Sequence, residues 1–315
     1  KIMLNIVTNV EKFLMMSSKK LIYVAGPTAV GKTSISILLA KHFKTEIISC
    51  DARQFYKEMF IGTAVPSKEE QKEIKHHFIQ NKSIHQPYDA GKFEKEGLIL
   101  IKKLFQKHDN VIMVGGSGMY AKALMDGLDK FPKVKLKAIE KVMEVYKKAG
   151  LKGLQLELAK NDPDYYKTVD IKNPRRIIRA LEVYETAQKP YSYFLNQTRS
   201  VRPFQGKTLY LQMPREKLYE RINRRVDEMV SIGLKEEARD LLPYKSLDAL
   251  QTVGYKELFE YFEGKINFQE ATEEIKKNTR RYAKRQLTWF NKINSIPIKI
   301  NKVNQTFDQI IKKLE

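Results

Sequence analysis

The sequence predicts an α/β fold: a parallel sheet covered by helices on both faces, interrupted by a mostly helical insertion domain. Two observations predict it. Short β-rich apolar runs alternate with helical patterns through the first third of the chain, as strand–helix–strand crossovers do. From about Asp126 to Pro203 no run has strand character, and strand candidates return only after that. The 315 residues, 42% hydrophobic and 10% aromatic, can bury a sizeable core, which excludes global disorder and gives a prior of about two domains.

Taken in order, residues 20–25 form a first strand that opens directly into Gly26-Pro-Thr-Ala-Val-Gly-Lys-Thr33. A helix is expected over 34–43, a strand over 46–49, a helix over 91–107 and a strand over 110–114 that meets Gly115-Gly116. The pair His76-His77 is expected on a helix. Helical periodicity then covers 136–148, 151–159 and 175–187, with Gly127, Pro132 and Arg202-Pro203 as punctuation at the ends of the insertion. Late strands are expected at 208–212 and 296–300. The second contains Pro297 and belongs at a sheet edge. A last helical tract runs over 271–293. The expected division is an N-terminal extension (1–19), an α/β core (20–125 and 204–315) and the insertion (126–203).

Charge narrows the function classes. Lys and Arg number 58 against 37 Asp and Glu, a net charge of +21, which points to a polyanionic partner, most often nucleic acid. A merely basic surface is the plainer alternative. The single cysteine, Cys50, cannot form an internal disulfide, so a reducing, cytoplasmic location is expected. No stretch approaches the roughly 20 apolar residues of a membrane helix, so no membrane association is expected. Residues 2–16 are broken by Asn5, Asn9, Glu11 and Lys12 and lack a small-residue cleavage site, so no signal peptide is expected.

The segment Gly26-Pro27-Thr28-Ala29-Val30-Gly31-Lys32-Thr33 matches G-x-x-x-x-G-K-[ST] at every fixed position, between a strand and a helix. Its glycines permit a tight turn with inward amides, which bind phosphate oxygens together with the positive helix end. Lys32 adds a mobile cation, and the Thr33 hydroxyl is placed to hold Mg²⁺. The core is therefore P-loop-type, like that of nucleotide hydrolases and kinases. Those enzymes carry a second Mg²⁺-holding aspartate at a later strand end. Here the strand over 110–114 ends in Gly-Gly-Ser instead. An aspartate does follow the second strand: Asp51, in Ser49-Cys-Asp-Ala-Arg-Gln-Phe-Tyr56. A lone aspartate after a strand is more often a helix cap, but its place beside the loop makes it a candidate general base.

Further segments follow in order: Ile61-Gly-Thr-Ala-Val-Pro66, His76-His77-Phe78, Gly115-Gly-Ser-Gly-Met-Tyr120, Asn173-Pro-Arg-Arg-Ile-Ile-Arg179, Val253-Gly-Tyr-Lys256 and Lys284-Arg-Gln-Leu-Thr-Trp-Phe290. With the loop and the Asp51 segment, this set strongly resembles the tRNA dimethylallyltransferases, the bacterial tRNA isopentenyltransferases, from about residue 20 to 290. The resemblance implies transfer of a dimethylallyl group from dimethylallyl diphosphate to N6 of the adenosine just 3′ of certain anticodons. The loop would then hold an isoprenoid diphosphate with Mg²⁺, which also suits the missing second aspartate. The alternative reading is a P-loop small-molecule kinase, which leaves the +21 charge unexplained.

Under the resemblance Asp51 would hydrogen-bond and deprotonate N6, while Lys32, Thr33 and the loop amides stabilise the leaving diphosphate. Arg225 aligns with a diphosphate-contacting arginine; a solvated helix face with Arg221 one turn back would explain it equally. Ser117 stands where the family usually has threonine. The anticodon stem-loop would be held by residues Asp51, Ala52, Arg53 and Gln54, by Arg175, Arg176 and Arg179 of the insertion, by Gln251, Gly254, Tyr255 and Lys256, and by Lys284, Arg285, Gln286 and Trp289. The last four sit in residues 271–292, where seven Lys/Arg face two Glu. Cations interleaved with an aromatic suit phosphates and unstacked bases, although Trp289 is at least half a packing residue. Asn291 stands where many relatives have arginine. The histidine pair is substrate-lining or structural rather than a metal site, and a monomer is expected.

Overall fold

The computed structural model describes residues 19–196, 201–300 and 302–314. The 2–16 segment and nearly all of the expected extension lie outside the described residues. The chain divides into two compact units, one running to Met125 and resuming at Arg202, the other Asp126–Val201. The insertion thus closes at 201 rather than 203. Arg202 belongs to the first unit because its guanidinium donates to Glu94 Oε1 and to the Ala123 carbonyl, both at 2.6 Å.

Among the described residues the first unit holds six strands in one parallel sheet: β1 (Lys20–Ala25), β2 (Ile47–Ser49), β3 (His76–His77), β4 (Asn110–Gly115), β5 (Gln205–Gln212) and β6 (Ile296–Lys299), in the order β3-β2-β4-β1-β5-β6. Side chains alternate across it, and both faces are apolar because both are covered. Ile22, Val24, Ile112, Leu209, Leu211 and Ile298 pack beneath α1 (Lys32–His42) and the helix Val303–Leu314. Leu21, Tyr23, Ala25, Val111 and Met113 face the helices Ala90–Leu104 and Gly118–Met125 and Phe290. Each fully buried Val, Leu, Ile or Met among them contributes about 1.5–3 kcal/mol. Pro297 sits in the edge strand β6, where no further strand needs its missing N–H.

One expectation fails here. His76-His77 are not helical but form β3, pairing with Ile47 and Ile48 at the opposite edge. The helix α2 (Lys68–Glu73) stops just before them. A two-residue edge strand carries too little alternation to read from sequence.

The remaining helices, in chain order, are α3 (Ala90–Leu104) and α4 (Gly118–Met125); in the second unit α5 (Leu136–Asn161), α6 (Pro163–Thr168), α7 (Pro174–Ala187) and α8 (Tyr191–Phe194); and then α9 (Arg215–Ser231), α10 (Leu234–Leu241), α11 (Tyr255–Phe262), α12 (Phe268–Phe290) and α13 (Val303–Leu314). Within the second unit, α5 breaks at Gly150 (φ 59°, ψ −153°), which separates the two helical patterns read there. Its core joins Val142, Leu154 and Leu158 to Ile177, Ala180 and Leu181. Asp162 is buried and accepts from the Tyr165 and Ser192 amides and the Ser192 hydroxyl at 2.7–3.0 Å. In the first unit, α9 to α12 close over residues 55–59, with Phe55, Met59, Val226, Leu258 and Ile275 in one apolar cluster.

Candidate active site

β1 ends at Ala25 and the chain turns at once through Gly26 (φ 152°) and Gly31 (φ 103°) into α1. A Cβ on Gly26 would lie 3.0 Å from Val30 Cγ1 and 3.1 Å from the Leu211 carbonyl oxygen. Pro27 and Val30 are buried, so their side chains anchor the loop while its backbone and Thr28, Ala29, Gly31, Lys32 and Thr33 line a cavity of about 590 Å³. That volume falls within the roughly 300–1,000 Å³ of small-molecule sites. The cavity lies beyond the carboxyl ends of β1, β2 and β4, where open parallel sheets bind ligands.

Lys32 Nζ donates to the Gly26 and Pro27 carbonyls at 3.0 and 2.7 Å. Burial, and then the Arg225 charge, lower its pKa to about 7, while Asp51 acts to raise it. Such an amine gains most from an incoming anion. Arg225, on α9, brings Nη1 to 3.5 Å from Thr28 Oγ1; burial lowers its pKa and Asp51 counters that. Arg225 thus lines the cavity and does not sit on a fully solvated helix face. Arg221 joins it: its guanidinium nitrogens lie 3.7 and 3.9 Å from where a Gly31 Cβ would be.

In the same cavity, Asp51 Oδ1 accepts from the Arg53 N–H at 2.8 Å and from the Gln54 N–H at 3.3 Å. No helix starts here, so the helix-cap reading fails: one oxygen closes a turn onto the two following amides, while the carboxylate lines the cavity. Ser117 Oγ accepts from the Ala52 N–H at 2.9 Å, and Tyr282 lines the same cavity. Burial, with Asp51 adding, pushes Tyr282 up to about 12. Cys50 is buried and its thiol pKa is pushed up by burial, which makes it a small core residue rather than a nucleophile.

Several expected RNA contacts are spent internally. Gln54 accepts from the Ser49 hydroxyl and donates to the Thr63 and Ala64 carbonyls at 3.0–3.2 Å. Arg53 donates to the Ala52 and Asp248 carbonyls. Tyr255 is fully buried, its hydroxyl donating to Glu237 at 2.6 Å. Gly254 is buried as the N-cap of α11, and its amide donates to Glu257 Oε2. Gln286 is buried between the loop and Gly116. Trp289 is half-buried, with its indole against Gly118. Exposed and unburdened by burial are Gln251, Lys256, Lys284 and Arg285, and, in the second unit, Arg175, Arg176 and Arg179.

Sequence reasoning missed Tyr282, the contribution of Arg221, and Glu237. The Glu237 carboxylate gathers the amides of Phe60, Ile61 and Gly62 at 2.7–2.9 Å and so fixes the strand-free wall 60–64. No pattern marked them, because each acts across a long stretch of sequence. His76 lines the cavity, with Nδ1 on the Ile74 carbonyl. Among the described residues no group of three or more His, Cys, Asp or Glu could hold a metal ion. The Thr33 hydroxyl and the Asp51 carboxylate are hard oxygen donors facing the cavity, which fits a Mg²⁺ held mostly by a substrate's phosphates. Among the described residues no helix is long and apolar enough to cross a membrane.

Comparison with known proteins agrees with this geometry. A family model described as IPP transferase matches residues 54–293. The chain is 54% identical over 275 residues to a tRNA dimethylallyltransferase of Christiangramia forsetii, covering 87% of this chain and 91% of that one. It is 52% identical to a tRNA dimethylallyltransferase of Flavobacterium johnsoniae, with the same coverage. Among solved structures, the tRNA isopentenylpyrophosphate transferase of Bacillus halodurans superposes with a TM-score of 0.68 at 33% identity, over 94% of this chain and 97% of that one. A eukaryotic dimethylallyltransferase acting on tRNA gives a TM-score of 0.80 at 27% identity, over 94% and 77%. The matched family model and the identity over most of the chain place it in one group: it belongs to the IPP transferase family.

Proposed function

We propose that the chain transfers a dimethylallyl group from dimethylallyl diphosphate to N6 of the adenosine 3′-adjacent to the anticodon in tRNA, releasing diphosphate. The observation that carries it is one cavity lined by a phosphate loop, by Arg221 and Arg225, and by Asp51. An adenine amine is a poor nucleophile because its lone pair is delocalised into the ring. The reaction therefore needs a proton acceptor at N6 and charge neutralisation on the departing diphosphate. Asp51 orients the amine and takes its proton as the N6–carbon bond forms. The carbon–oxygen bond to the diphosphate breaks, and its electron pair leaves with an anion met by Lys32, Arg225, Arg221 and the loop amides. Mg²⁺, held by Thr33 and the diphosphate, would supply further neutralisation when bound.

Apolar side chains of Val226, Met229, Leu234 and Val253 also line the cavity and suit a prenyl tail. A base reaches such a cavity only by leaving its stack, so the adenosine is flipped. Exposed Lys284 and Arg285 are proposed to hold RNA phosphates, as are Arg175, Arg176 and Arg179 on the second unit. The kinase alternative is dropped: close relatives are named dimethylallyltransferases, and β4 ends in glycines where a kinase-like site needs an aspartate. The test is incubation with bulk tRNA, Mg²⁺ and labelled dimethylallyl diphosphate, followed by nuclease digestion. Label on an adenosine is the expected result. No transfer, with ATP turnover in the absence of RNA, would overturn the proposal.

A further inference from the structure

We infer that Gln286 is a positioning residue of the diphosphate site, whose side-chain amide ties the phosphate loop to the turn that carries Ser117. The inference rests on the function proposed above. Gln286 lies on α12 at 6% exposure. Its Oε1 accepts from the Thr28 N–H and its Nε2 donates to the Gly116 carbonyl, each at 2.9 Å. A donor on one side and an acceptor on the other fix which end of the amide points where; a flipped amide would leave both bonds broken. Holding the Thr28 peptide also sets its hydroxyl against Arg225.

The glycine run 115–118 has a separate steric reason at each position. A Cβ on Gly115 would lie 1.8 Å from the Cys50 carbonyl oxygen. On Gly116 it would lie 2.2 Å from Gln286 Nε2, and on Gly118 it would lie 2.1 Å from Trp289 Nε1. Gly116 and Gly118 are therefore the openings through which two side chains of α12 reach the turn. Ser117 stands between them, its hydroxyl accepting from the Ala52 N–H. One face of this helix thus sets both the loop that receives the diphosphate and the hydroxyl beside Asp51. Of the two side chains, Gln286 is the one that bonds the loop itself.

Two variants test this from opposite sides. Gln286→Met keeps length and removes both hydrogen bonds; Gly116→Ala keeps the glutamine and displaces its Nε2. Inorganic pyrophosphate and dimethylallyl diphosphate are titrated calorimetrically into the wild type and each variant. tRNA affinity and melting curves are measured in parallel. The expected result is roughly tenfold weaker binding of both ligands in each variant, with tRNA affinity unchanged. The double variant should bind no worse than the poorer single, because both break one link. Unchanged diphosphate affinity, or a loss confined to tRNA, would overturn the role of Gln286 while wild-type transfer leaves the function intact. A wild type that neither binds diphosphate nor transfers prenyl would overturn the function first, and this inference with it.

Discussion

Toward the sheet, α12 presents Tyr282, Gln286 and Trp289 to the turn after β4 and to the phosphate loop; toward solvent it presents Lys284 and Arg285. Gln286, the buried one, is held by two directed hydrogen bonds, and Tyr282 and Trp289 are part-buried, so loss of these residues acts on geometry. The outward residues are charges in water, so their loss acts on a screened, long-range attraction. One helix can therefore build a reaction site and grip a polyanion without either task constraining the other. Substitutions on its two faces should separate cleanly in what they change.

The reference for a site-only loss is Asp51→Asn. The amide keeps an acceptor for the Arg53 and Gln54 amides but cannot take a proton. Single-turnover transfer should fall about 10²–10⁴-fold with tRNA affinity unchanged. Lys32→Met comes next, with an expected fall of about 10²–10³-fold in transfer. It also carries a pH signature. The folded value near 7 lies below the ordinary 10.5, so between those values the unfolded chain binds more protons. Stability of the ligand-free wild type should therefore rise with pH across that window and carry the full cost of the buried charge below pH 7. Melting curves of Lys32→Met should lack this rise, its advantage over the wild type being largest at pH 7 and below.

Tyr282→Phe, on the inward face, should lower transfer about fivefold by removing a hydroxyl from the cavity lining, and leave the salt dependence of tRNA binding alone. Lys284→Ala and Arg285→Ala, on the outward face, should have the smallest effect at low salt. Each should weaken tRNA binding a few-fold and reduce the slope of log affinity against log salt by about one, with diphosphate affinity untouched. A salt-slope change in Tyr282→Phe, or a diphosphate defect in Lys284→Ala, would erase the distinction between the two faces.

The same contrast explains what the sequence made legible. The phosphate loop is a local motif whose function lies in its own backbone, so Gly26, Gly31, Lys32 and Thr33 could be read together with the strand and helix around them. β1, β2, β4 and the Leu209–Leu211 stretch of β5 are buried runs that announce themselves by composition; β3, two histidines long, does not. RNA contacts read from motif position fared differently. Tyr255 and Gln54 look like surface polar residues in sequence, yet Glu237 and the Thr63 and Ala64 carbonyls claim them. Gln286 bonds a loop 258 positions away, and no local spacing encodes such a contact.

The most direct test of the central claim concerns the atom that attacks. Two anticodon stem-loop RNAs are compared, one with adenosine 3′ of the anticodon and one with purine riboside, which lacks the exocyclic amine. Each is incubated with the wild type, Mg²⁺ and labelled dimethylallyl diphosphate. Label on the adenosine RNA and none on the purine RNA is the predicted result. Equal labelling of the two would contradict transfer to N6 and the role given to Asp51.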